Sequence, residues 1–297
     1  MNEPQQSLLN IFSLTNTGAR THEDIFTGTS HWMPSGRVFG GQVLAQSVIA
    51  ANHTVEPERH IHSMHGYFLR PGDVTKTITF AVDRIHDGRS FSARRTQAYQ
   101  DGLPILSMIA SYQTDDIGLE YQVEMPHDLP EPEDLPTAAE TLDSDKYPAA
   151  QAWAHRRPFD IRHIPSPIYV TVDGPRVAHQ AVWFRALAPL PDNPGIHRAA
   201  LAYASDYSIM EPIMRRHGIS WMTPGMRAAS LDHAMWWHRP ARADEWLLYT
   251  QEASSSSGGR GLAHGQIFSR DGRLVASVSQ EAMLRLRAGD DTVSDPS

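Results

Sequence analysis

The chain has 297 residues, 40% hydrophobic and 20% charged, which excludes a disordered protein and allows one large or two ordinary domains. Its net charge of -8 argues against a nucleic-acid-binding protein, because such proteins neutralise phosphates with clustered Lys and Arg. The absence of cysteine excludes disulfides, thiolate metal sites and a cysteine nucleophile.

No apolar run reaches the roughly 18 residues that a membrane-spanning helix needs. The N-terminus lacks the basic start and apolar stretch of a secretion signal, and the final residues are not a Ser-Lys-Leu type signal. We therefore expect a cytoplasmic protein without a membrane span.

The first predicted element is a helix from Gly40 to Asn52. Its glycines suit a close backbone approach, and Val43, Ile49 and Ala50 follow at near-helical spacing. About four segments of strand character come next, separated by Pro-Gly and Asp-Gly turns. This order predicts a helix followed by an antiparallel meander.

The middle of the chain is acidic and rich in proline, and we expect an exposed linker over residues 126–149. Three segments of strand composition follow it, FDIRHI, IYVTV and HQAVWFRAL. A second helix is predicted from His197 to His217, with Gly218 as its natural end. A second meander follows, and the polar tail 289–297 is expected to be disordered.

The two halves carry a faint repeat. Arg70-Pro71 and Arg239-Pro240 lie 169 residues apart, and Asp101-Gly102 and Asp271-Gly272 lie 170 apart. Because nearly the same offset recurs in the same order, we interpret the chain as a duplication. The predicted division is a first half over 1–125, the linker over 126–149, a second half over 150–288 and the tail.

Six blocks resemble the acyl-CoA thioesterase II family, whose bacterial TesB members carry close variants of all six. The blocks are GRVFGGQVLAQS, HSMHGYFLRPGD, DGRSFSARR, LDHAMWWHRP, EWLLY and ASVSQEAMLR. The resemblance implies an α+β double hotdog fold, two antiparallel sheets each wrapped around a central helix. It also implies an enzyme that hydrolyses acyl-CoA to free fatty acid and CoA. No cofactor is expected, and a homo-oligomer is expected on the resemblance alone.

The family's catalytic residues are an Asp, a Thr or Ser, and a Gln. The resemblance assigns them to Asp232, Ser254 and Gln280, with the carboxylate activating a water that the other two hold. A one-residue shift to Ser255 stays open. The 169-residue offset relates Asp232 to Ser63, so we expect one active site per chain.

The pattern of residues along the strand predicts a buried position for Gln280, which supports part of its assignment. Leu274, Ala276, Val278 and Ala282 alternate along a strand and form an apolar face on which Gln280 also lies. A buried amide must be hydrogen-bonded, either to backbone or to a water in a site. Asp232 precedes the aromatic run AMWW and is either an edge-strand carboxylate or a functional one.

Two further groups are candidates for substrate binding. Gly41 and Gln42 begin the first helix, where free N–H groups could hold a thioester oxyanion, although close packing explains the glycines equally well. Arg89 and Arg94 are candidates for the CoA phosphates, and surface ion pairing is their alternative.

Two alternative functions remain at this point. Asp232 with His238 resembles the Asp and His pair of hotdog enoyl-CoA hydratases. A non-catalytic acyl-CoA-binding protein is another alternative. A metal site at His60, His62 and His65 is disfavoured, because His65 points to the other face of a strand and no His-Glu-x-x-His motif is present.

Overall fold

The computed structural model describes residues 8–19, 22–142 and 153–286, so the predicted tail lies outside the described residues. The helices are α1 Leu8–Phe12, α2 Gly40–Asn52, α3 Ala138–Thr141, α4 Pro194–Ser205 and α5 Glu211–Arg216. The first strands are β1 Thr15–Asn16, β2 Asp24–Gly28, β3 Arg59–Phe68, β4 Ile78–Asp87, β5 Phe91–Gln100 and β6 Leu103–Thr114. The later strands are β7 Phe159–Ile164, β8 His179–Ala186, β9 Met226–Ser230, β10 Asp232–Trp237, β11 Leu247–Ser257, β12 Arg260–Ser269 and β13 Leu274–Leu286.

The described strands form one antiparallel sheet in the order β1-β2-β4-β5-β6-β3-β10-β13-β12-β11-β8-β7, with β9 paired to β13. Each half places one long helix between its early and later strands, α2 in the first and α4 in the second. The two halves of this continuous sheet, each with its own helix, correspond to the two antiparallel sheets of the predicted α+β arrangement. The sequence did not predict that β3 and β10 join the two sheets edge to edge.

The pairing of β3 with β10 reflects the duplication. Asp232 pairs with Tyr67, and Trp236 pairs with Ser63. The 169-residue offset of the duplication relates Ser63 to Asp232 and Tyr67 to Trp236. The two residue pairs are therefore equivalent to each other. The two halves therefore meet about a local twofold axis, as a duplicated chain requires.

Helix α2 has the predicted bounds and is buried along nearly its whole length. The predicted helix from His197 to His217 is instead two helices, α4 and α5, with a turn between them. Pro212 explains the break, because it has no N–H and its ring clashes with the carbonyl four residues earlier. Gly218 ends α5 with a φ of 67°, as predicted.

The described part of the predicted linker, 126–142, is exposed at most positions, although Leu129 and Leu135 pack on Trp183 and Trp246, and Trp183 Nε1 donates to the Pro130 carbonyl at 3.0 Å. One prediction about the middle of the chain is wrong, because the segment IYVTV forms no strand. Ile168 and Tyr169 of this segment are buried in a loop, where the Ile168 carbonyl accepts from the Trp221 N–H at 3.1 Å.

No helix in the described part of the chain is long and apolar enough to cross a membrane.

Candidate active site

The structure does not bring the three predicted catalytic residues together. Ala234 pairs with Ser279 across β10 and β13, so Asp232 lies on the Ser279 face and Gln280 on the other. Asp232 Oδ1 accepts a 2.7 Å hydrogen bond from the Glu281 N–H. The sheet therefore separates the Asp232 carboxylate from the Gln280 amide.

Ser254 also lies on the far side of the sheet from Gln280. Its Oγ is 3.2 Å from His264 Nε2, and His264 Nδ1 is 2.9 Å from Ser279 Oγ. A bulge between Ala253 and Ser255 leaves Ser254 exposed and opposite no residue of β12. The resemblance assigned Ser254 to the site by its distance along the chain from EWLLY, whereas the register of β11 places Ser254 on the opposite face.

Gln280 instead meets Ser230 and Asp206. Gln280 Nε2 donates to Ser230 Oγ at 3.0 Å, and Ser230 Oγ donates to Asp206 Oδ1 at 2.9 Å. Asp206 Oδ2 accepts from the Gly41 N–H at 2.8 Å. Gln280 is buried, as the alternation along β13 predicted. Its neighbours are an aspartate and a serine that sequence reasoning missed.

The antiparallel helices α2 and α4 bring Asp206 to Gly41. Asp206 follows the last residue of α4, and Gly41 lies in the first turn of α2. A Cβ on Gly41 would lie 2.2 Å from the Tyr203 carbonyl oxygen, and one on Gly40 would lie 2.6 Å from Asp206 Oδ2. Only glycine allows the two helices to approach this closely.

Strands position the other two side chains. Ser230 is the last residue of β9 and pairs with Ala282 of β13. Gln280 is two residues away from Ala282 on the same face, so both polar side chains point toward the end of α4. The strands and the helices together make the contact among Asp206, Ser230 and Gln280.

Burial controls the protonation of Asp206. The residue is only 6% exposed, and desolvation raises its pKa to about 6, against the lowering effect of bonds from Ser230, Gln280 and Gly41. A carboxylate with a pKa near neutrality is suited to accept a proton from water.

Aromatic side chains surround this carboxylate. The rings of Phe39 and Tyr207 stack with centroids 4.5 Å apart, and the ring of Tyr203 is 5.2 Å from that of Phe39. Tyr249 Oη donates to the Ser205 carbonyl at 3.2 Å. These rings exclude water from one side of Asp206 and so explain its desolvation.

The predicted oxyanion donors have other partners. The Gly41 N–H is bound to Asp206, so it is not free to bind a substrate oxyanion. Gln42 is fully buried, its Oε1 accepting from the His31 N–H at 2.9 Å and its Nε2 donating to Gln46 Oε1 at 3.2 Å. Both residues therefore hold α2 in place, which agrees with close packing and not with an oxyanion-binding role.

The predicted phosphate-binding arginines differ from each other. Arg94 is 1% exposed and all its nitrogens have partners, among them Thr54 Oγ1 at 2.9 Å and Asp87 Oδ1 at 2.7 Å. It ties β5 to the end of α2 and cannot reach a CoA phosphate. Arg89 is exposed beside the turn between β4 and β5, remote in sequence from all site residues.

The pair expected of a hydratase is not assembled. Asp232 and His238 are six residues apart along β10, or about 20 Å at the rise of a strand. His238 is exposed and its Nε2 is 2.9 Å from Ser277 Oγ. The two side chains cannot act on one carbon atom.

A cavity of about 330 Å³ lies elsewhere, lined in part by Leu142, Ile161, His163 and Tyr169. None of Asp206, Ser230 and Gln280 lines it. In the described residues, no group of three or more His, Asp or Glu is placed to hold a metal ion.

Comparison with known proteins identifies the family. Residues 29–113 match the model of the acyl-CoA thioesterase N-terminal domain, and residues 154–283 match the acyl-CoA thioesterase model. This chain belongs to the acyl-CoA thioesterase family. Members of that family are hydrolases acting on thioester bonds, so the predicted enzyme class is confirmed.

Curated acyl-CoA thioesterases resemble most of the chain. Acyl-CoA thioesterase 2 of Haemophilus influenzae is 36% identical over 271 residues, which cover 88% of this chain and 92% of the relative. Acyl-coenzyme A thioesterase 8 of Homo sapiens is 34% identical over 279 residues, covering 89% of this chain and 86% of the relative.

Two solved structures have the same fold. Acyl-CoA thioesterase II TesB2 from Mycobacterium marinum superimposes with a TM-score of 0.75 at 37% identity, covering 96% of this chain and 99% of the other. A hot dog fold protein from Alicyclobacillus acidocaldarius gives 0.75 at 20% identity, covering 95% and 98%. The predicted double hotdog fold is thereby confirmed.

Proposed function

We propose that the protein hydrolyses acyl-CoA to free fatty acid and CoA, with Asp206 as the general base. Ser230 and Gln280 hold the attacking water. The observation that carries this proposal is the hydrogen-bonded series from Gln280 through Ser230 to Asp206, whose carboxylate has a pKa of about 6. These residues are the Asp, Ser and Gln that the family resemblance requires, at positions different from Asp232 and Ser254.

The hydrogen bonds define what each group does. The Ser230 hydroxyl proton is donated to Asp206, so Ser230 Oγ offers its lone pairs. One accepts from Gln280 Nε2, and the other is available for a hydrogen of the water. The second N–H of Gln280 interacts with Asp206, whose pKa it lowers, and a water bound between the two side chains accepts it instead. Asp206 takes the remaining proton of that water.

The reaction then proceeds by direct attack of water, without a covalent enzyme intermediate. The water oxygen bonds to the thioester carbonyl carbon while its proton passes to Asp206. The tetrahedral intermediate collapses with cleavage of the C–S bond, and the electron pair leaves on sulfur. The thiolate takes the proton from Asp206, which restores the carboxylate and completes CoA.

We propose one such site per chain, assembled mainly from the second half. Residues equivalent to Asp206, Ser230 and Gln280 in the first half are Asn52, Ile61 and Ala110. The two helices are aligned on Gly41 and Gly195, which are each the second residue of their helix. The strands are aligned by matching the pair Ser230 and Ala282 with the pair Ile61 and Tyr112. The first half thus lacks the base, the hydroxyl and the amide, and contributes the Gly41 N–H.

The test is a panel of acyl-CoA thioesters from short to long chains, with released thiol measured for wild type, Gln280→Ala and Gln251→Ala. Gln251 is a matched control because it is also a buried amide, and its N–H donates to Ser208 rather than to Ser230 or Asp206. We expect thiol release by wild type and Gln251→Ala, and a loss of about 100-fold in kcat for Gln280→Ala.

Two alternatives have their own outcomes in the same experiment. Hydration of an enoyl-CoA without thiol release would favour the hydratase, and binding of acyl-CoA without turnover would favour the non-catalytic protein. Either result would contradict the proposal.

A homo-oligomer and a cytoplasmic location are also proposed. The segment after β6 presents Ile117, Leu119 and Tyr121, each at least 86% exposed, and these apolar side chains support association with a second copy. Sedimentation of wild type and a variant with serine at all three positions tests it. A monomeric wild type would contradict it.

Cell fractionation tests the proposed cytoplasmic location.

A further inference from the structure

His233 lies beside Gln280 and is fully buried. Its Nδ1 is 2.5 Å from Gln280 Oε1, and its Nε2 is 3.0 Å from Ser205 Oγ. We infer that His233 is a positioning residue for hydrolysis, which fixes the Gln280 amide so that its N–H groups face Ser230 and the water. This inference rests on the proposed role of Gln280 in catalysis.

The direction of each hydrogen bond follows from which atoms can donate. Gln280 Oε1 can only accept, so His233 Nδ1 carries a proton. Desolvation lowers the pKa of His233 to about 4, against the raising effect of the bond to Gln280, so near neutral pH the ring holds one proton. That proton is on Nδ1, which leaves Nε2 as an acceptor. The Ser205 Oγ lies 3.0 Å from Nε2 and 3.0 Å from the Ala202 carbonyl oxygen, so its single proton is shared between these two acceptors.

The opposite orientation of the amide would disrupt the site. It would place Oε1 against Ser230 Oγ, and the Ser230 hydroxyl would then have to donate to Gln280 in place of Asp206. The ionised carboxylate would lose one of its donors. The proton on His233 Nδ1 disfavours this orientation, because an amide N–H cannot approach another donor and the ring would first have to move its proton to Nε2.

The duplicated first half provides an internal comparison. Met64 and Ala110 are paired between β3 and β6, and they occupy the positions of His233 and Gln280 after shifts of 169 and 170 residues. Both residues are buried and apolar. Where the amide is absent the histidine is absent too, as expected if His233 serves Gln280 rather than the sheet.

Loss of His233 should also change the ionisation of Asp206. The Gln280 bond is among those that lower the pKa of Asp206, so a misplaced amide raises it further. The titratable groups that face Asp206 are Tyr203, Tyr207 and Tyr249, and burial raises the pKa of each of them. None of them titrates near pH 6, so the acid limb of the rate profile reports Asp206.

The experiment compares His233→Met, which copies Met64, with His233→Asn, whose side-chain N–H can replace that of Nδ1. Met235→Leu is the matched control, because Met235 is buried on the same face of β10. We expect His233→Met to lower kcat about 10-fold or more with little change in KM, and to move the acid limb upward. His233→Asn should recover most of kcat, and Met235→Leu should leave the limb in place.

A second measurement does not depend on the variants folding. Nitrogen-15 NMR of the wild-type protein should show a proton on His233 Nδ1 and none on Nε2. A proton on Nε2, or a His233→Met variant with wild-type kcat and acid limb, would overturn the inference. If Gln280→Ala retained full activity, the proposed function itself would fail, which is a different result.

Discussion

Ser230 and Asp206 are joined by a 2.9 Å hydrogen bond in which the hydroxyl donates and the carboxylate accepts. The bond fixes the direction of every other proton in the site, because Ser230 then has only lone pairs left for Gln280 and for water. Asp206 Oδ1 accepts from Ser230 and Oδ2 accepts from the Gly41 N–H, which favours the ionised carboxylate that can act as a base. The predictions below follow from this arrangement.

The pH dependence of activity should report the buried carboxylate. Asp206 must be ionised to take a proton from water, so kcat/KM should rise with pH through an acid limb at about 6. The measurement is a profile of kcat/KM from pH 4.5 to pH 8 with one acyl-CoA. A limb near pH 4, the ordinary range of an aspartate, would mean that a more exposed carboxylate is the base.

Stability should change with pH in the opposite sense to activity. The folded-state pKa of Asp206 is raised above its unfolded value of about 3.8, so the folded protein binds the proton more tightly than the unfolded chain. Stability from this group is present at low pH and is lost as pH rises through about 6. The loss is about 3 kcal/mol in total.

Asp206→Asn removes this titration. The variant should gain about 2 kcal/mol relative to wild type when the pH is raised from 4.5 to 8, measured by urea unfolding at both values. A difference between the two proteins that stays constant with pH would show that Asp206 does not titrate with a raised pKa.

The two serines should respond differently to substitution. Ser230→Ala removes the hydroxyl that bridges Gln280 and Asp206 and should lower kcat by about 10-fold or more, whereas Ser230→Thr keeps a hydroxyl and should retain much of the activity. Ser254→Ala should be nearly silent, since Ser254 is exposed on the other face. If Ser254→Ala were the damaging change, Ser254 would belong to the site after all.

Close approach of the two helices should make Gly41 sensitive to a single methyl group. Gly41→Ala places a Cβ 2.2 Å from backbone oxygen of Tyr203 and should cost about 1–3 kcal/mol of unfolding free energy, with a loss of activity. Gly118→Ala is the matched control, because a Cβ there meets nothing within 4 Å. Equal stability of the two variants would contradict this account of the helix pair.

The sequence predicted the parts of the molecule that depend on local pattern. The bounds of α2 followed from its small-residue spacing, the buried position of Gln280 followed from alternation along β13, and the duplication followed from two recurrent dipeptides. Each of these signals is contained within one element or repeated at a constant offset, so no knowledge of tertiary contacts was needed.

Asp206 and Ser230 could not be predicted in the same way. Asp206 was assigned to the interior of one long helix, and the break caused by Pro212 is what exposes its carboxylate to α2 and β9. Ser230 ends a short strand two residues before the more conspicuous Asp232. The available signal was a lone carboxylate in the apolar stretch LAYASDYSIM, which marks a buried charge that requires a reason.

The most direct test of the central claim is a comparison of kcat for Asp206→Asn and Asp232→Asn under one set of conditions. Asp206→Asn keeps the shape of the side chain but removes the base, and should lower kcat about 100-fold or more. Asp232→Asn should keep at least about half of wild-type kcat, because Asp232 lies across the sheet from Gln280. A fully active Asp206→Asn beside an inactive Asp232→Asn would contradict the claim.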